Sequence, residues 1–297
     1  MKRVDIKVGY TCNNRCKFCV QGNKRDLMAD NATDKIKSIL LDCFCDEIES
    51  VVFTGGEATI RKDLCELIRF AASLGFKEIQ IQTNGRMFAY LDFCKKVIDA
   101  GATEFAPAVH GHNHKIHDFL TSIPGSFQQT IQGIKNLKKL NQRVLTNTVI
   151  TNHNYKHLPD IARLLVSLNV DQFQFAFIHV VGTSILNSDW IVPQKKEIMF
   201  YVKKGLAIGL KAGKTVMTEA IPYCFMKHWE DFIAEEIIPL TKVFENNLVI
   251  EDFTASRLSE GKAKMPQCLK CKHNSYCEGA WKEYLELFGN SELIPCL

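Results

Sequence analysis

Short apolar runs rich in β-branched and aromatic residues recur at positions 4–8, 50–53, 78–82, 104–109, 143–150 and 171–178, and each predicts a strand. Behind each run, apolar positions return every three to four residues. That period predicts helices over about 33–46, 60–75, 90–100, 125–140, 155–169 and 194–212. Asp34, Asp63 and Pro159 fall in or near first turns, where an acid meets the positive helix end and proline's missing N–H costs nothing. Six strand–helix units in a row predict an α/β fold, with parallel strands joined by right-handed crossovers and covered on both faces. Six units instead of eight leave a TIM-type barrel partly open, so the expected architecture is a partial (β/α)6 barrel over residues 1–212. After about residue 213 the rhythm fades, and 213–297 is expected to form a small cluster-binding extension.

Composition narrows the class without choosing a chemistry. A chain of 297 residues, 46% hydrophobic and 24% charged, has material for a sizeable core. Its net charge of +4 is spread along the chain, so no nucleic-acid partner is expected. The first residues form no signal peptide, and no run approaches the ~20 apolar residues of a membrane span. A cytoplasmic protein with no membrane partner is the expectation. Twelve cysteines in that reducing setting read as metal or cluster ligands before disulfides.

Three of them crowd the start of the chain: Cys12, Cys16 and Cys19 in Thr-Cys-Asn-Asn-Arg-Cys-Lys-Phe-Cys, directly after the first strand. Three thiolates can hold three irons of a [4Fe–4S] cube and leave the fourth open, or they can belong to a zinc knuckle. In parallel barrels the working residues sit at the C-terminal ends of strands, and other motifs fall there too. The second strand runs into Gly55, Gly56 and Glu57, where two glycines admit a close backbone approach and a carboxylate can accept hydrogen bonds from a cation. The third runs into Gln82 and Asn84, polar groups able to face a ligand. Strand five carries Thr146, Asn147 and Thr148, and strand six alternates Gln172 and Gln174 with Phe173, Phe175 and Phe177. The segment after strand four holds His110, His112, His114 and His117, a run able to bind a transition metal or to face substrate. His110 and His179, near strand ends, are the candidate catalytic acids, bases or hydrogen-bond partners.

The last third holds Cys224, Cys268, Cys271, Cys277 and Cys296. A C-x2-C-x5-C run plus a distant fourth thiol can close a zinc ribbon or an iron–sulfur site, and spacing alone does not choose. Cys43, Cys45, Cys65 and Cys94 sit inside helical segments and read as ordinary thiols.

The C-x3-C-x2-C loop followed by Gly-Gly-Glu resembles the signature of the radical S-adenosylmethionine (radical SAM) superfamily. That resemblance implies a split (β/α)6 barrel and a [4Fe–4S] cluster on Cys12, Cys16 and Cys19. S-adenosylmethionine would chelate the open iron and be cleaved by one electron to a 5′-deoxyadenosyl radical. It also implies cosubstrate contacts from Phe18, Gly55, Gly56, Glu57, Asn84 and Asn147. The C-terminal region resembles the SPASM and twitch extensions of that superfamily. One auxiliary [4Fe–4S] cluster would then sit on Cys224, Cys268, Cys271 and Cys277, with Cys296 as a substitute ligand or a free thiol. The pattern departs from full SPASM, because Glu-Gly-Ala-Trp follows Cys277 where a further cysteine is expected. Members of this subgroup modify peptides, activate partner enzymes or rearrange small molecules, and draw electrons from an external flavodoxin- or ferredoxin-type donor. A peptide or protein side chain is the expected substrate, and a small metabolite or nucleotide the alternative. The chain starts almost at its first strand, which leaves a leader-binding domain unexpected. It also lacks the Gly-Gly tail of the molybdenum-cofactor GTP cyclase. A non-catalytic iron–sulfur or zinc protein is the competing class.

Overall fold

The computed structural model describes residues 2–297. Strands β1 (Lys2–Lys7), β2 (Ser50–Thr54), β3 (Glu78–Thr83), β4 (Glu104–Pro107), β5 (Arg143–Ile150) and β6 (Gln172–Phe177) pair in parallel, each with the next. The expected α/β partial barrel is therefore present. It is also larger than the six units suggested. β7 (Thr215–Glu219) pairs in parallel with β6, β8 (Leu240–Glu245) pairs in parallel with β1, and β9 (Leu248–Ile250) turns back on β8. The nine-stranded sheet runs β7-β6-β5-β4-β3-β2-β1-β8-β9. Parallel strands thus continue past residue 212 although the strand–helix rhythm stops there, and β8 escaped the pattern because irregular 3-10 turns, not a helix, join β7 to β8.

Helices α1 (Lys24–Leu27), α2 (Thr33–Cys45), α3 (Leu64–Leu74), α4 (Leu91–Asp99), α5 (His114–Thr121) and α6 (Ser126–Lys139) occupy the first half. They are followed by α7 (Leu158–Ser167), α8 (Thr183–Leu186), α9 (Ser188–Ile191), α10 (Lys195–Lys211), α11 (Phe253–Ser256) and α12 (Lys282–Phe288). Strand alternation divides the sheet into two environments. Val4, Ile6, Val51, Phe53, Ile79, Ile81, Phe105, Phe173 and Phe175 are buried in the apolar core. Phe175 and Phe173 press on Gly205 and Gly209 of α10, which turns them toward the helical layer and settles which face of β6 points outward. Burying a large apolar side chain contributes about 1.5–3 kcal/mol, so this layer carries most of the fold's stability. The opposite face is polar. Arg3 pairs with Asp5, Lys7 with Glu245, Thr54 with Gln82, Gln80 with Glu104, and Gln174 with Glu219.

The C-terminal segment folds around a two-stranded antiparallel ribbon, β10 (Lys262–Ala263) and β11 (Ala280–Trp281). Buried charges brace it. Arg257 donates to both oxygens of Glu278 at 2.7 and 3.1 Å, and Lys262 bridges Glu278 and Glu235 at 2.6 and 2.8 Å. No helix of the described residues is long and apolar enough to cross a membrane.

Candidate active site and cysteine centres

The chain leaves β1 through Val8, Gly9, Tyr10 and Thr11 into the first cysteine loop, and charged side chains fix its path. Asp30 Oδ1 accepts from the Tyr10 and Thr11 amides at 2.7 and 3.0 Å. Burial pushes the Asp30 carboxyl up, but these amides and the Arg61 charge outweigh it and hold the pKa below the ordinary value. Arg86, after β3, donates through Nη1 to the carbonyl of Asn13 and, at 3.0 Å, to Asn14 Oδ1. Its Nε donates to Gln129 Oε1 at 2.6 Å. Arg25 donates to the Asn14 carbonyl at 2.6 Å and lies 3.8 Å from Cys19 Sγ. On its other flank the loop is stitched to α5 and to the β6 exit: Arg15 and Lys17 amides donate to Thr121 and Leu120 carbonyls, and the Thr183 amide to the Cys19 carbonyl, each at 2.9 Å.

Gly55 and Gly56 sit where the β2 exit meets this loop. A Cβ on Gly55 would lie 2.3 Å from the Gly9 carbonyl oxygen, and one on Gly56 would lie 2.4 Å from those of Tyr10 and Thr11. Only glycine fits. The approach lets the Gly56 amide donate to Gly9 O at 2.8 Å and the Glu57 amide to Thr11 O at 2.9 Å. Glu57 is buried and its carboxylate serves the fold, accepting from the Thr59 amide (3.1 Å), the Thr59 hydroxyl, Thr83 Oγ1 (2.6 Å) and the Asn84 amide (2.6 Å). Burial raises its pKa against these donors. Asn84 is likewise engaged, with Nδ2 donating to Asn13 Oδ1 at 2.6 Å and Oδ1 accepting from the Arg86 amide.

The remaining candidates spread around the rim. Phe18 is buried and meets His110 edge to face, ring centroids 4.7 Å apart. His110 is also buried. Burial, with the neighbouring His117, holds its pKa well below the usual value, so it stays neutral. Asn147 Oδ1 and Thr146 Oγ1 are buried without hydrogen-bond partners. Asn147 is in register with Gln174 on the polar inner face, whereas Thr146 is in register with Phe173 on the helix-facing side. His179 stacks on Trp281 of β11 at 3.8 Å, with Glu283 Oε2 at 3.6 Å from its Nε2, and burial lowers its pKa against the Glu283 charge. The histidine run does not form one cluster. His114 and His117 lie in α5, and the His117 ring accepts from the His110 amide at 3.2 Å.

Cys224, Cys268, Cys271 and Cys277 line one hollow, together with Lys264, Gly279 and the 293–295 segment. Cys296 lies outside that lining but near Cys271, whose thiol, with burial as the larger cause, raises the Cys296 pKa. Burial, reinforced by Cys277, Cys296, Cys268 and Cys271, pushes the Cys224 thiol up to about 12. In the N-terminal set burial raises Cys12, with Glu57 and Cys19 adding to it, and raises Cys16, with Cys19 and Cys12 adding. Crowded thiols of this kind are costly as bare thiolates and are relieved by bound cationic metal.

Four thiolates on one zinc ion at about 2.3 Å stand roughly 3.8 Å apart. Among the described residues no three thiols gather within 4.8 Å. The donor chemistry of both sets suits zinc or an iron–sulfur cluster that takes one thiolate per iron, and a bound metal would draw the thiols to its own spacing. Sequence reasoning found the thiols by their spacing. It did not find Asp30, Arg86 or Arg25, which act on the loop through side-chain hydrogen bonds that leave no periodic signal.

The chain is 30% identical over 54% of its length to an AdoMet-dependent heme synthase of Oleidesulfovibrio alaskensis, covering 42% of that protein. It is 29% identical over 60% of its length to a probable GTP 3′,8-cyclase of Sulfurisphaera tokodaii, covering 57% of that protein. It thus spans about half the length of these curated relatives. Streptococcus suis SuiB bound to S-adenosylmethionine shares the fold with a TM-score of 0.67 at 16% identity, over 99% of this chain and 76% of that one. SuiB bound to its precursor peptide SuiA aligns with the same TM-score and identity over 96% of this chain and 72% of that one. Residues 6–165, just over half of the chain, match the family model described as Radical SAM superfamily, and the chain belongs to that superfamily.

Proposed function

We propose that the protein is an enzyme that reductively cleaves S-adenosylmethionine and abstracts a hydrogen from a peptide or protein side chain. One observation carries this reading. A cysteine loop at the barrel rim is paired with a second, four-thiol hollow in a chain whose fold follows the peptide-bound SuiB over 96% of its length. Cys12, Cys16 and Cys19 would hold a [4Fe–4S] cluster with one iron left for S-adenosylmethionine. Cys224, Cys268, Cys271 and Cys277 would hold an auxiliary cluster of the SPASM or twitch kind, with Cys296 in reserve. The first cluster, when bound, supplies the electron that breaks the cosubstrate's S–C5′ bond.

The chain's own residues position that chemistry. Asp30, Arg25 and Arg86 hold the thiol loop rigid, and Glu57 ties β2 to the β3 exit so that the Gly55–Gly56 backbone stays open to a ligand ammonium. Phe18, packed on neutral His110, offers an apolar wall for adenine. Asn147 Oδ1 is an acceptor without a partner in the fold, suited to ribose hydroxyls. His179 and Trp281 join the barrel mouth to the segment that carries the second thiol set. The electron donor is external, of flavodoxin or ferredoxin type, and the setting is the cytoplasm.

A second reading rests on the curated relatives: a heme synthase and a GTP cyclase favour a small metabolite or nucleotide as substrate. The test is anaerobic reconstitution followed by dithionite and S-adenosylmethionine, with 5′-deoxyadenosine as the readout. No 5′-deoxyadenosine from fully loaded protein contradicts the enzyme. A mass change on a peptide partner supports the first reading, and one on a small metabolite replaces it with the second.

A further inference from the structure

One member of the dispersed histidine run meets two residues from elsewhere in the chain. A ring nitrogen of His112, a ring nitrogen of His157 and a carboxylate oxygen of Asp160 lie within 4.8 Å of one another, the one such trio among the described residues. His112 stands in the β4–α5 connection, while His157 and Asp160 lie three residues apart at the start of α7. His157 Nδ1 is 3.6 Å from Asp160 Oδ2, and the His112 and His157 rings lie with centroids 5.0 Å apart and planes tilted by 39°. His112 Nδ1 is buried and has no hydrogen-bond partner. We propose that His112, His157 and Asp160 bind a divalent late first-row transition ion of the zinc class, which pins the β4–α5 connection to α7.

Two imidazoles and one carboxylate are the donor set such ions take, with water completing the shell. Ligands about 2.1 Å from a tetrahedral ion stand roughly 3.4 Å apart, so the trio must draw together by no more than about 1.4 Å, within reach of side-chain torsions. The backbone beneath is already rigid. Buried Asn154 donates to the carbonyls of His110 and Val149 at 3.0 and 2.9 Å, and its Oδ1 accepts from the Thr151 amide at 2.8 Å, which bolts the His112 segment to the turn that carries His157. Asn113 caps α5 through the Ile116 amide at 3.1 Å, and its Nδ2 lies 2.8 Å from His112 Nε2. An ion on Nδ1 displaces any proton there to Nε2, and the Asn113 amide turns to suit. Arg163 donates to Asp160 Oδ1 at 2.5 Å, orienting the carboxylate and leaving Oδ2 on the His157 side. His110, two residues before His112, backs Phe18 of the cysteine loop, so an ion here steadies the wall behind the thiols.

Zinc chloride is the probe, applied to anaerobically reconstituted protein whose iron content shows both cysteine sets filled, after a chelator wash. Zinc per chain is counted by mass spectrometry after gel filtration, and affinity is measured by titration calorimetry. The expected result is one zinc per wild-type chain, with affinity falling at least tenfold in both His157→Gln and Asp160→Asn at unchanged iron content. Both residues are half-exposed, so these variants keep the fold. Cys45→Ser, which removes an exposed thiol, is expected to bind as wild type. No zinc on the wild-type chain, wild-type affinity in both ligand variants, or loss of zinc in Cys45→Ser overturns the proposal.

Discussion

Gly56→Ala is expected to unseat the first cysteine loop without touching a thiol. The added Cβ would stand 2.4 Å from the carbonyl oxygens of Tyr10 and Thr11, backbone atoms with no rotamer to retreat into. Reaching a tolerable 3.0–3.4 Å requires the β2 exit and the loop to part by about 0.6–1.0 Å. That parting stretches the hydrogen bonds from the Gly56 amide to Gly9 (2.8 Å) and from the Glu57 amide to Thr11 (2.9 Å). Two bonds at about 1 kcal/mol each, plus about 1–3 kcal/mol for overpacking, give a loss on the order of 3–5 kcal/mol. At roughly 2–4 °C per kcal/mol, the melting temperature should fall by about 6–20 °C. Cys12 follows Thr11 directly, and a misplacement near 1 Å in a catalytic constellation costs about 100-fold in rate. The assays are a thermal melt and the release of 5′-deoxyadenosine under dithionite. Gly213→Ala is the control: its Cβ meets nothing within 4 Å and its φ is +70°, so only about 1–2 kcal/mol of left-handed strain applies and cleavage stays at the wild-type rate. Wild-type melting and cleavage in Gly56→Ala would refute the claim that this close approach positions the thiols.

Three further outcomes follow from named contacts. Cys16→Ala is expected to abolish S-adenosylmethionine cleavage, whereas Cys271→Ala spares cleavage without substrate and impairs turnover; equal loss of uncoupled cleavage in both contradicts the separate roles. Lys195 is fully buried, its ammonium clasped between the Phe177 and Tyr284 rings at 3.1 and 3.7 Å with no hydrogen-bond partner, and burial, with Lys262 adding, holds its pKa well below 10.5. Its stability contribution is complete above 10.5 and is lost as pH falls through the depressed value. Lys195→Met should therefore stabilise by about 1–4 kcal/mol at pH 7, a gain that shrinks toward pH 10.5 in denaturant titrations; a gain independent of pH contradicts this. Asn154→Ala leaves four buried hydrogen-bonding groups without their partner and should cost about 3 kcal/mol in urea unfolding, with a loss under 1 kcal/mol counting against its role as a bolt.

Much of this molecule is legible in its sequence because its order is local. The first six strands and the main helices announce themselves by periods of two and 3.6, and the observed boundaries fall within a few residues of that pattern, as in Thr33–Cys45 and Arg143–Ile150. β8 is hidden because its partner is β1, more than 230 residues away, and Leu-Thr-Lys-Val-Phe-Glu alone reads as any exposed ribbon. The thiols show themselves by spacing, but what holds them does not. Asp30 reaches back about 20 residues and Arg86 more than 70, through side-chain bonds that no window along the chain contains. Glu57 and Asn84 look free in sequence, and only the fold reveals that their polar atoms are already engaged. The histidine run shows the converse: neighbours in sequence point apart, while His112 finds His157 and Asp160 across the rim.

The central claim is that Cys12, Cys16 and Cys19 together leave one iron open to S-adenosylmethionine. Its most direct test is the electron paramagnetic resonance spectrum of a Cys268→Ala/Cys271→Ala/Cys277→Ala variant, reconstituted and reduced without oxygen, recorded before and after adding S-adenosylmethionine. The account predicts a single reduced [4Fe–4S] signal whose g values shift on addition. Zinc in place of iron, or an iron signal that stays unchanged with S-adenosylmethionine present, would contradict it.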